Sequence, residues 1–213
     1  MLSSANLSLV VARSPAPAST PSLEDAQAAG FPVGGEPLAV DLADTVVTVV
    51  DAPADLLSDS AASQRFWALQ GPRLPRGWEP PSLSATRELR DAIRQLLDAT
   101  HAGTRLDPRA LDVVNRASAG ASTTPEAVQG TAGLTQGDRW HAAEAAALPL
   151  AVAARSAIEI LTDTASVERL RRCANPACSM LFLNGDARRQ WCTPNICGNR
   201  ARVARHYHRH RPS

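Results

Sequence analysis

The sequence predicts a mainly helical α+β protein built from two unequal parts. Apolar residues recur at helical spacing through the middle of the chain, whereas alternation typical of a strand is limited to a short stretch after Gly34 and a weaker one within residues 118–139. All four cysteines of the 213-residue chain lie between positions 173 and 197. The length suits one domain of moderate size and a small appendage, and the cysteines mark the appendage.

Residues 1–33 are rich in Ser, Ala and Pro and show no sustained periodicity. Such a composition buries too little apolar surface to fold, so we expect a disordered leader. Its apolar run is short, is interrupted by Ser and lacks a basic start, which makes it a poor signal peptide. We therefore expect a cytoplasmic protein.

The stretch after Gly34 opens the ordered part of the chain. A Gly-Gly pair is followed by apolar residues at alternate positions, Leu38, Val40 and Leu42, which favours a β-strand. The β-branched run Val46–Val50 either extends that strand or turns helical.

Three helices are predicted next from capping residues and apolar stripes. The first begins at Asp59 or Ser60, and the second begins at Ser84. The third begins at Asp107, which is followed by a proline that suits a first helical turn. The residues expected on the buried faces are Phe66, Trp67, Leu69, Leu89, Ile93, Leu96, Leu97, Leu111, Val114 and Ala117.

Two further segments complete the larger part. Residues 118–139 are rich in Gly, Ser and Thr with short apolar alternation, which predicts a weak hairpin or a loop. An Ala-rich helical segment follows from about Trp140 to Leu161, interrupted by Pro149. Charged residues and the proline make that segment too polar for a bilayer, so we expect no membrane partner.

The four cysteines form two matched C-x4-C pairs separated by thirteen residues. Each loop contains Asn and Pro, which favour tight turns, and the connection Ser179–Trp191 is long enough for a β-hairpin that returns the second pair to the first. Zinc prefers a closed shell of thiolates in structural sites. The pattern predicts one structural Zn²⁺ ion held by Cys173, Cys178, Cys192 and Cys197.

The alternatives to a zinc site are two disulfides or four unrelated thiols. Disulfides belong to secreted chains, and the sequence gives no sign of export. Unrelated thiols would not be confined to one 25-residue window. Both considerations favour the metal.

The chain after the cysteine pairs is strongly basic. From Arg171 onward there are nine arginines and one acid, a net charge of +8, against −7 for residues 1–170. Residues 199–211 contain no helix breaker, so we expect a helix with an arginine stripe, suited to phosphates or guanine edges, unless this is only a solvated basic tail. The predicted nucleic-acid-binding residues are Arg188, Arg189, Asn199, Arg200, Arg202, Arg205 and Arg209.

The residues around the cysteines carry a specific resemblance. Cys197-Gly198-Asn199-Arg200 spells the signature of the CGNR zinc-finger family, and the similarity covers about residues 170–210. The other segments similar to that family's pattern are Arg172–Pro176, Leu181–Leu183, Arg189–Cys192 and Arg200–Val203. The resemblance implies a DNA-binding zinc module with four cysteine ligands, found at the C-terminus of bacterial stress-induced transcription regulators.

The stretch after Gly34 resembles the opening of the ABATE domain, the usual N-terminal partner of the CGNR finger. In that family a Leu-Asp-x-x-Asn-Thr pattern recurs, and Asp44 stands where the family has Asn. The resemblance implies an ABATE-like α+β domain over residues 34–165 and a finger over residues 170–211. The predicted fold class is α+β, mainly α: a helical N-terminal domain with a small β-sheet, then a small C-terminal four-cysteine zinc finger made of a β-hairpin plus a helix.

The leading functional prediction is a bacterial transcription regulator that binds DNA through the finger, while the N-terminal domain senses a small-molecule ligand or a partner. Specific sites usually need dimers or tandem modules, so we expect a homodimer. The alternative is a zinc-stabilised RNA-binding or protein-interaction module without sequence-specific DNA binding. An enzyme is not expected, because His101 and His141 are the only histidines outside the tail and neither lies in a metal or triad motif.

Overall fold

The computed structural model describes residues 10–13, 21–31, 35–49, 53–130, 133–186 and 188–198. Within these ranges, the helices pack around one large apolar core, a second and smaller apolar cluster lies against β4 and β5, and every strand pair is antiparallel. The prediction of a mainly helical α+β fold is confirmed.

The helices and strands follow one another along the chain with short connections. The helices are α1 Leu23–Ala28, α2 Leu38–Ala43, α3 Ser60–Gln70, α4 Leu83–Ala102, α5 Pro108–Ala119, α6 Ala147–Thr162 and α7 Thr164–Arg169. The strands are β1 Val10–Arg13, β2 Val46–Val47, β3 Ala54–Asp55, β4 Ala121–Gly130, β5 Gly133–Ala142, β6 Leu170–Arg172 and β7 Leu181–Leu183. The sheet orders are β1-β5-β4, β2-β3 and β6-β7, with every pairing antiparallel.

Helix α4 is the central helix of the core. Its N-cap lies two residues before the predicted one, because the Ser82 side chain accepts the N–H of Ala85 at 3.2 Å and Ser84 lies inside the first turn. It ends at Gly103, whose left-handed backbone (φ 64°) suits a residue without a side chain. The predicted apolar stripe of α4 is buried as expected: Leu89, Ile93, Leu96 and Leu97.

The starts of α3 and α5 also match the sequence patterns. Asp59 accepts the N–H of Ala62 at 2.8 Å, and Asp107 accepts the N–H of Arg109 at 2.9 Å. Each cap satisfies a helix N–H that would otherwise lack a partner, a contribution of about 1 kcal/mol. Of the remaining predicted core residues, Phe66, Trp67 and Val114 are buried, and Leu69, Leu111 and Ala117 are partly buried.

The predicted strand at Leu38–Leu42 is wrong, because these residues form helix α2. All six residues of α2 are buried, so the apparent alternation is part of a run that is buried on every side. Pro37 precedes the helix, where its fixed φ fits the first turn. The β-branched run that follows does form a strand, β2, paired with β3.

The predicted disordered leader over residues 1–33 is wrong for the parts of it that the structure describes. Ser22 caps α1 by accepting the N–H of Asp25 at 3.0 Å. Phe31 is 2% exposed, and its ring lies edge-on to Phe66 with centroids 5.5 Å apart. Strand β1 pairs with β5. The Pro-, Ser- and Ala-rich composition did not indicate the capped helix α1 or the buried Phe31.

Residues 118–139 contain a hairpin, the first of the two alternatives. Strands β4 and β5 pair over their full length, and β5 continues to Ala142, so Trp140 lies in a strand instead of the predicted helix. Helix α6 begins only at Ala147 and keeps Pro149 in its first turn, where a missing N–H removes no helical hydrogen bond. Among the described helices, none is long and apolar enough to cross a membrane.

The predicted regions 34–165 and 170–211 share a single core where the structure describes them. The apolar cluster that contains Phe31, Trp67 and Ile93 continues into Leu181 and Phe182 and reaches all four cysteines. Helix α6 passes directly into α7, whose first turn is capped by Asp163. The smaller region is therefore packed against the larger one.

Candidate metal centre

The first cysteine pair lies in the loop of the β6–β7 hairpin. Cys173 follows β6 and donates its N–H to the Met180 carbonyl at 2.9 Å, and Cys178 donates its N–H to the Asn175 carbonyl at 2.8 Å. The Asn175 side chain accepts the N–H of Ala177 at 3.1 Å, a local turn contact typical of Asn. The hairpin thus encloses the first cysteine pair. The predicted hairpin was placed between the two pairs, in Ser179–Trp191, and of the two observed strands only β7 lies in that segment.

The second pair is brought beside the first by one backbone contact and one π-helical turn. Ala174 donates its N–H to the Gln190 carbonyl at 2.9 Å, which joins the two loops. The turn Pro194–Gly198 then carries Cys197 inward, and its N–H bonds to the Thr193 carbonyl at 3.2 Å. The Thr193 hydroxyl accepts the N–H of Ile196 at 3.3 Å.

The four cysteine sulfurs form a compact, buried cluster. All four Sγ atoms lie within 4.8 Å of one another, and Cys178 and Cys192 are 3.9 Å apart. A tetrahedral zinc ion with Zn–S bonds of about 2.3 Å separates its sulfurs by about 3.8 Å. The cluster has the size and donor set of a structural zinc site, and the protein holds one structural zinc ion there.

The opposite pKa shifts of Cys178 and Cys192 show how closely the thiols are packed. The hydrogen bond from the Cys192 thiol lowers the pKa of Cys178 to about 5, while the same contact and burial raise the pKa of Cys192 above its usual range. Four thiolates packed together repel one another, and a divalent cation offsets that repulsion. Asn175 Nδ2 lies 3.4 Å from the Cys197 sulfur and donates a hydrogen bond to it.

Two carboxylates of the N-terminal region hold the outer edge of β7. Asp44 accepts the N–H of Leu181 with both oxygens, at 3.1 and 3.0 Å. Glu36 accepts the N–H of Leu183 at 2.9 Å. These N–H groups face away from β6, so the carboxylates fill the place that a third strand would take.

Asp44 is the more deeply buried of the two acids. Its side chain is 3% exposed, and Arg94 Nη1 lies 3.1 Å from it. Burial raises the pKa of Asp44 well above its usual range, although Arg94 and the Leu181 N–H act in the opposite direction. The asparagine that the family pattern has at this position could accept the same N–H through its side-chain oxygen. The aspartate in addition forms an ion pair with Arg94.

Further polar contacts surround this junction. Thr48 accepts the N–H of Ser179 at 2.9 Å and donates to the Ala177 carbonyl at 2.7 Å. Arg94 Nη2 also donates to the Ser179 carbonyl. Sequence reasoning missed these residues as contacts of the metal centre. The clearest available signal was the presence of Asp44 and Glu36 beside an otherwise apolar run.

The two arginines predicted on the hairpin have different surroundings. The Arg188 side chain is 90% exposed and lies 3.4 Å from Asp186. Arg189 Nη1 lies 2.7 Å from Glu36, and its guanidinium lies 4.3 Å from the centroid of the Phe182 ring. Arg189 therefore acts within the protein, and the geometry does not favour the phosphate contact predicted for it. The other predicted contacts lie outside the described residues: Asn199, Arg200, Arg202, Arg205 and Arg209.

Comparison with known protein families gives two adjacent matches. The family model named ABATE, described as "Putative stress-induced transcription regulator", matches residues 36–164, which is more than half of the chain. The family model of the CGNR zinc finger matches residues 169–210 and so includes the four clustered cysteines. No curated protein is similar enough to the chain to count as a match.

Proposed function

This chain belongs to the ABATE family and carries a CGNR zinc finger, and we propose that it is a bacterial transcription regulator that binds DNA through the finger. The observation that carries the proposal is the separation of charge: nine arginines against one acid from Arg171 onward, and a net charge of −7 before it. A basic region of this kind attracts phosphates, and the acidic remainder is repelled by them.

The zinc centre would fix the start of the basic segment. Zinc supplies structural closure of the four-cysteine loop when bound. Cys197 belongs to that cluster, and Arg200 follows three residues later, so the arginine-rich segment begins directly after a zinc ligand in the sequence. Arg188, on the loop after β7, presents a second exposed cation from the same region.

The larger region would act as the sensor of a ligand or a protein partner. Its connection to the finger runs through Glu36, Asp44 and Thr48, which bond directly to the β6–β7 hairpin. A rearrangement of these residues would therefore alter the position or stability of the finger. This arrangement supports regulation by the N-terminal region without requiring a flexible linker.

The proposal includes no catalytic step. His141 lies 3.0 Å from the Thr124 hydroxyl in the β4–β5 hairpin, and His101 is exposed in the last turn of α4. Within the described ranges, neither histidine hydrogen-bonds a carboxylate or a thiol. We further propose that the protein acts in the cytoplasm as a homodimer, because one finger offers few base contacts.

The proposal is tested by a salt titration of binding to random-sequence duplex DNA, with zinc measured on the same preparation. If Arg188, Arg200, Arg202, Arg205 and Arg209 each neutralise a phosphate, log Kd should change with log salt with a slope of about 4.5. One zinc per chain and a slope of that size are expected. A zinc-loaded protein that does not bind duplex DNA contradicts the proposal. A preference for single-stranded RNA would support the alternative of an RNA-binding zinc module.

A matched pair of triple variants separates local contacts from net charge. Arg202→Gln/Arg205→Gln/Arg209→Gln should reduce the salt slope by about 2.7. The control makes the same change of charge at Arg65, Arg76 and Arg109, which are exposed on the N-terminal region. The control should retain the slope; an equal loss in both triples would mean that overall charge, and not the tail, governs binding.

A further inference from the structure

We propose that Asn175 positions the Cys197 thiolate for zinc, so that the loop of the first cysteine pair holds the last of the four ligands. Asn175 lies in that loop, between Cys173 and Cys178, and contributes an amide where the ligands contribute sulfur. It is a positioning residue, because its side chain acts on the metal through the sulfur of another residue. This role at the zinc ion is independent of DNA binding.

The orientation of the Asn175 amide is fixed by its own loop. Its Oδ1 accepts the N–H of Ala177 at 3.1 Å, a turn contact that asparagine favours. Because a side-chain amide has one oxygen and one NH2 group, the other end must then present a donor. That donor, Nδ2, lies 3.4 Å from the sulfur of Cys197. A reversed amide would place NH2 against the N–H of Ala177, so the turn itself selects the N–H to sulfur contact.

The surroundings of Cys197 explain why its sulfur needs a donor from the protein. Cys197 is 1% exposed, so bulk water does not hydrate the thiolate. Its own backbone N–H bonds to the Thr193 carbonyl at 3.2 Å. Four thiolates around one divalent cation also leave an excess of negative charge. A hydrogen bond from an amide to the sulfur disperses part of that charge, as hydrogen bonds to ionised acceptors do.

The same contact joins the two cysteine loops at a second point. Two neighbouring residues of the first loop reach the second cysteine pair. Ala174 donates its N–H to the carbonyl of Gln190, two residues before Cys192, and Asn175 donates directly to Cys197. Each end of the second pair therefore has its own connection to the first loop. Loss of the Asn175 donor would leave the Cys192 end connected and loosen the Cys197 end.

The consequence for the metal is weaker binding when the donor is removed. A residue that orients a ligand lowers the cost of closing the tetrahedral shell, and loss of such an outer contact typically weakens metal affinity by about 10- to 100-fold. Asn175 contacts one ligand of the four, so we expect an effect of about tenfold. Cys197 should then be the ligand that leaves the metal first.

The alternative is that Asn175 serves only the turn of its loop. Aspartate favours the same turn and keeps an oxygen for the N–H of Ala177. It has no N–H donor, however, and it places a negative charge beside the sulfur of Cys197. Asn175→Asp therefore separates the two roles. If the turn were the whole role, the aspartate variant should behave like the unaltered protein.

Transfer of zinc from the full chain to the coloured chelator 4-(2-pyridylazo)resorcinol measures the effect. Asn175→Asp should weaken zinc affinity about tenfold and speed the transfer. Far-UV circular dichroism shows whether the N-terminal helices are retained. A variant that keeps its helical signal but takes up no zinc from excess metal would support the proposal as an extreme case. An aspartate variant that holds zinc as tightly as the unaltered protein would overturn it.

Asn184→Asp is the matched control. Asn184 Oδ1 accepts the N–H of Asp186 at 3.1 Å, which is the same kind of turn contact in the same region of the chain. Within the described residues its side chain has no hydrogen bond to a cysteine. The substitution adds the same charge and should leave zinc affinity unchanged. An equal loss at both positions would mean that added charge weakens the site wherever it lies, and would refute the role of Asn175.

Cobalt substitution tests the contact at the sulfur itself. Co²⁺ binds the same kind of thiolate site as zinc and shows a charge-transfer band from sulfur to metal. The energy of that band falls when a sulfur loses a hydrogen bond, because its lone pairs become less stable. Asn175→Ala and Asn175→Asp should both shift the band to longer wavelength, whereas Asn184→Asp should not. An unshifted band in both Asn175 variants would refute the proposal, whether or not the protein binds DNA.

Discussion

Helices α3 to α6 and the segment from Leu170 to Gly198 are stabilised by different means. The helices bury large apolar side chains against one another, among them Trp67, Phe66 and Ile93. In its described residues, the C-terminal segment has two three-residue strands and one helical turn, arranged around four cysteines. It relies on the metal and on carboxylates from the larger region. A small module can thus be rigid without an independent core when its neighbour supplies the missing contacts.

The largest effect should come from removal of a cysteine. Cys197→Ser should reduce zinc content from about one per chain to near zero and unfold the C-terminal segment, because binding of a structural zinc ion contributes on the order of 10 kcal/mol to such modules. Zinc analysis and far-UV circular dichroism measure both effects. Chelation and restoration of zinc in the unaltered protein is the control, and a native-like C-terminal segment without metal would contradict the prediction.

The next effect concerns the junction between the two regions. Asp44→Ala should lower the free energy of unfolding by about 1–3 kcal/mol, because it leaves the buried Leu181 N–H without its acceptor, whereas Arg94 keeps its ion pair with Asp98. Asp44→Asn keeps an oxygen that can accept from Leu181 and should cost less. Urea denaturation of both variants measures the difference. If alanine and asparagine are equally tolerated, the carboxylate does not hold the hairpin.

A third prediction concerns pH. Burial raises the pKa of Asp41 to about 7, so the folded protein holds this proton more tightly than the unfolded chain does. The contribution of Asp41 to stability should therefore fall as pH rises between about 4 and 7, by at most about 1.4 kcal/mol per pH unit. Zinc loss at low pH acts in the opposite direction. The quantity to measure is thus the difference between the unaltered protein and Asp41→Asn from pH 5.5 to 8, and a flat difference would refute the prediction.

The smallest effects distinguish two adjacent arginines. Arg189→Gln should cost about 1 kcal/mol of stability, because it loses the ion pair with Glu36, and should change DNA affinity little. Arg188→Gln should leave stability unchanged and weaken DNA binding by removing one phosphate contact. Thermal denaturation and DNA titration of each variant provide the comparison. Reversed outcomes would mean that Arg189 faces the DNA.

The sequence signals that proved reliable were local. Asp59 and Asp107 predict where helices begin, because a capping side chain bonds only to a backbone N–H two or three residues later. The cysteine spacing likewise predicts the metal-binding loops from neighbouring residues alone. The resemblance around Cys197 indicates the zinc-finger family, which the family model confirms. The wrongly predicted strand at Leu38–Leu42 lacked such a signal, because no side chain caps α2. Helix α2 is buried on all sides and has no polar face to reveal its period.

The contacts that join the two regions could not be read from the sequence. Asp44 and Leu181 are 137 residues apart, and Glu36 and Leu183 are 147 residues apart. Nothing near either acid indicates that its partner is a backbone N–H of a distant strand. Phe31 poses the same problem, because the ring that it packs against, Phe66, belongs to a helix much later in the chain.

The account depends most on the claim that the zinc centre and the N-terminal helices are one structural unit. Hydrogen exchange of the full chain, measured with zinc bound and after chelation, tests it directly. Loss of zinc should increase exchange in residues 170–198 and also in α2 and the middle of α4, because Asp44 loses its contact with the Leu181 N–H and Arg94 loses its contact with the Ser179 carbonyl. Full exchange of residues 170–198 with no change in α2 and α4 would show an independently tethered finger and contradict the account.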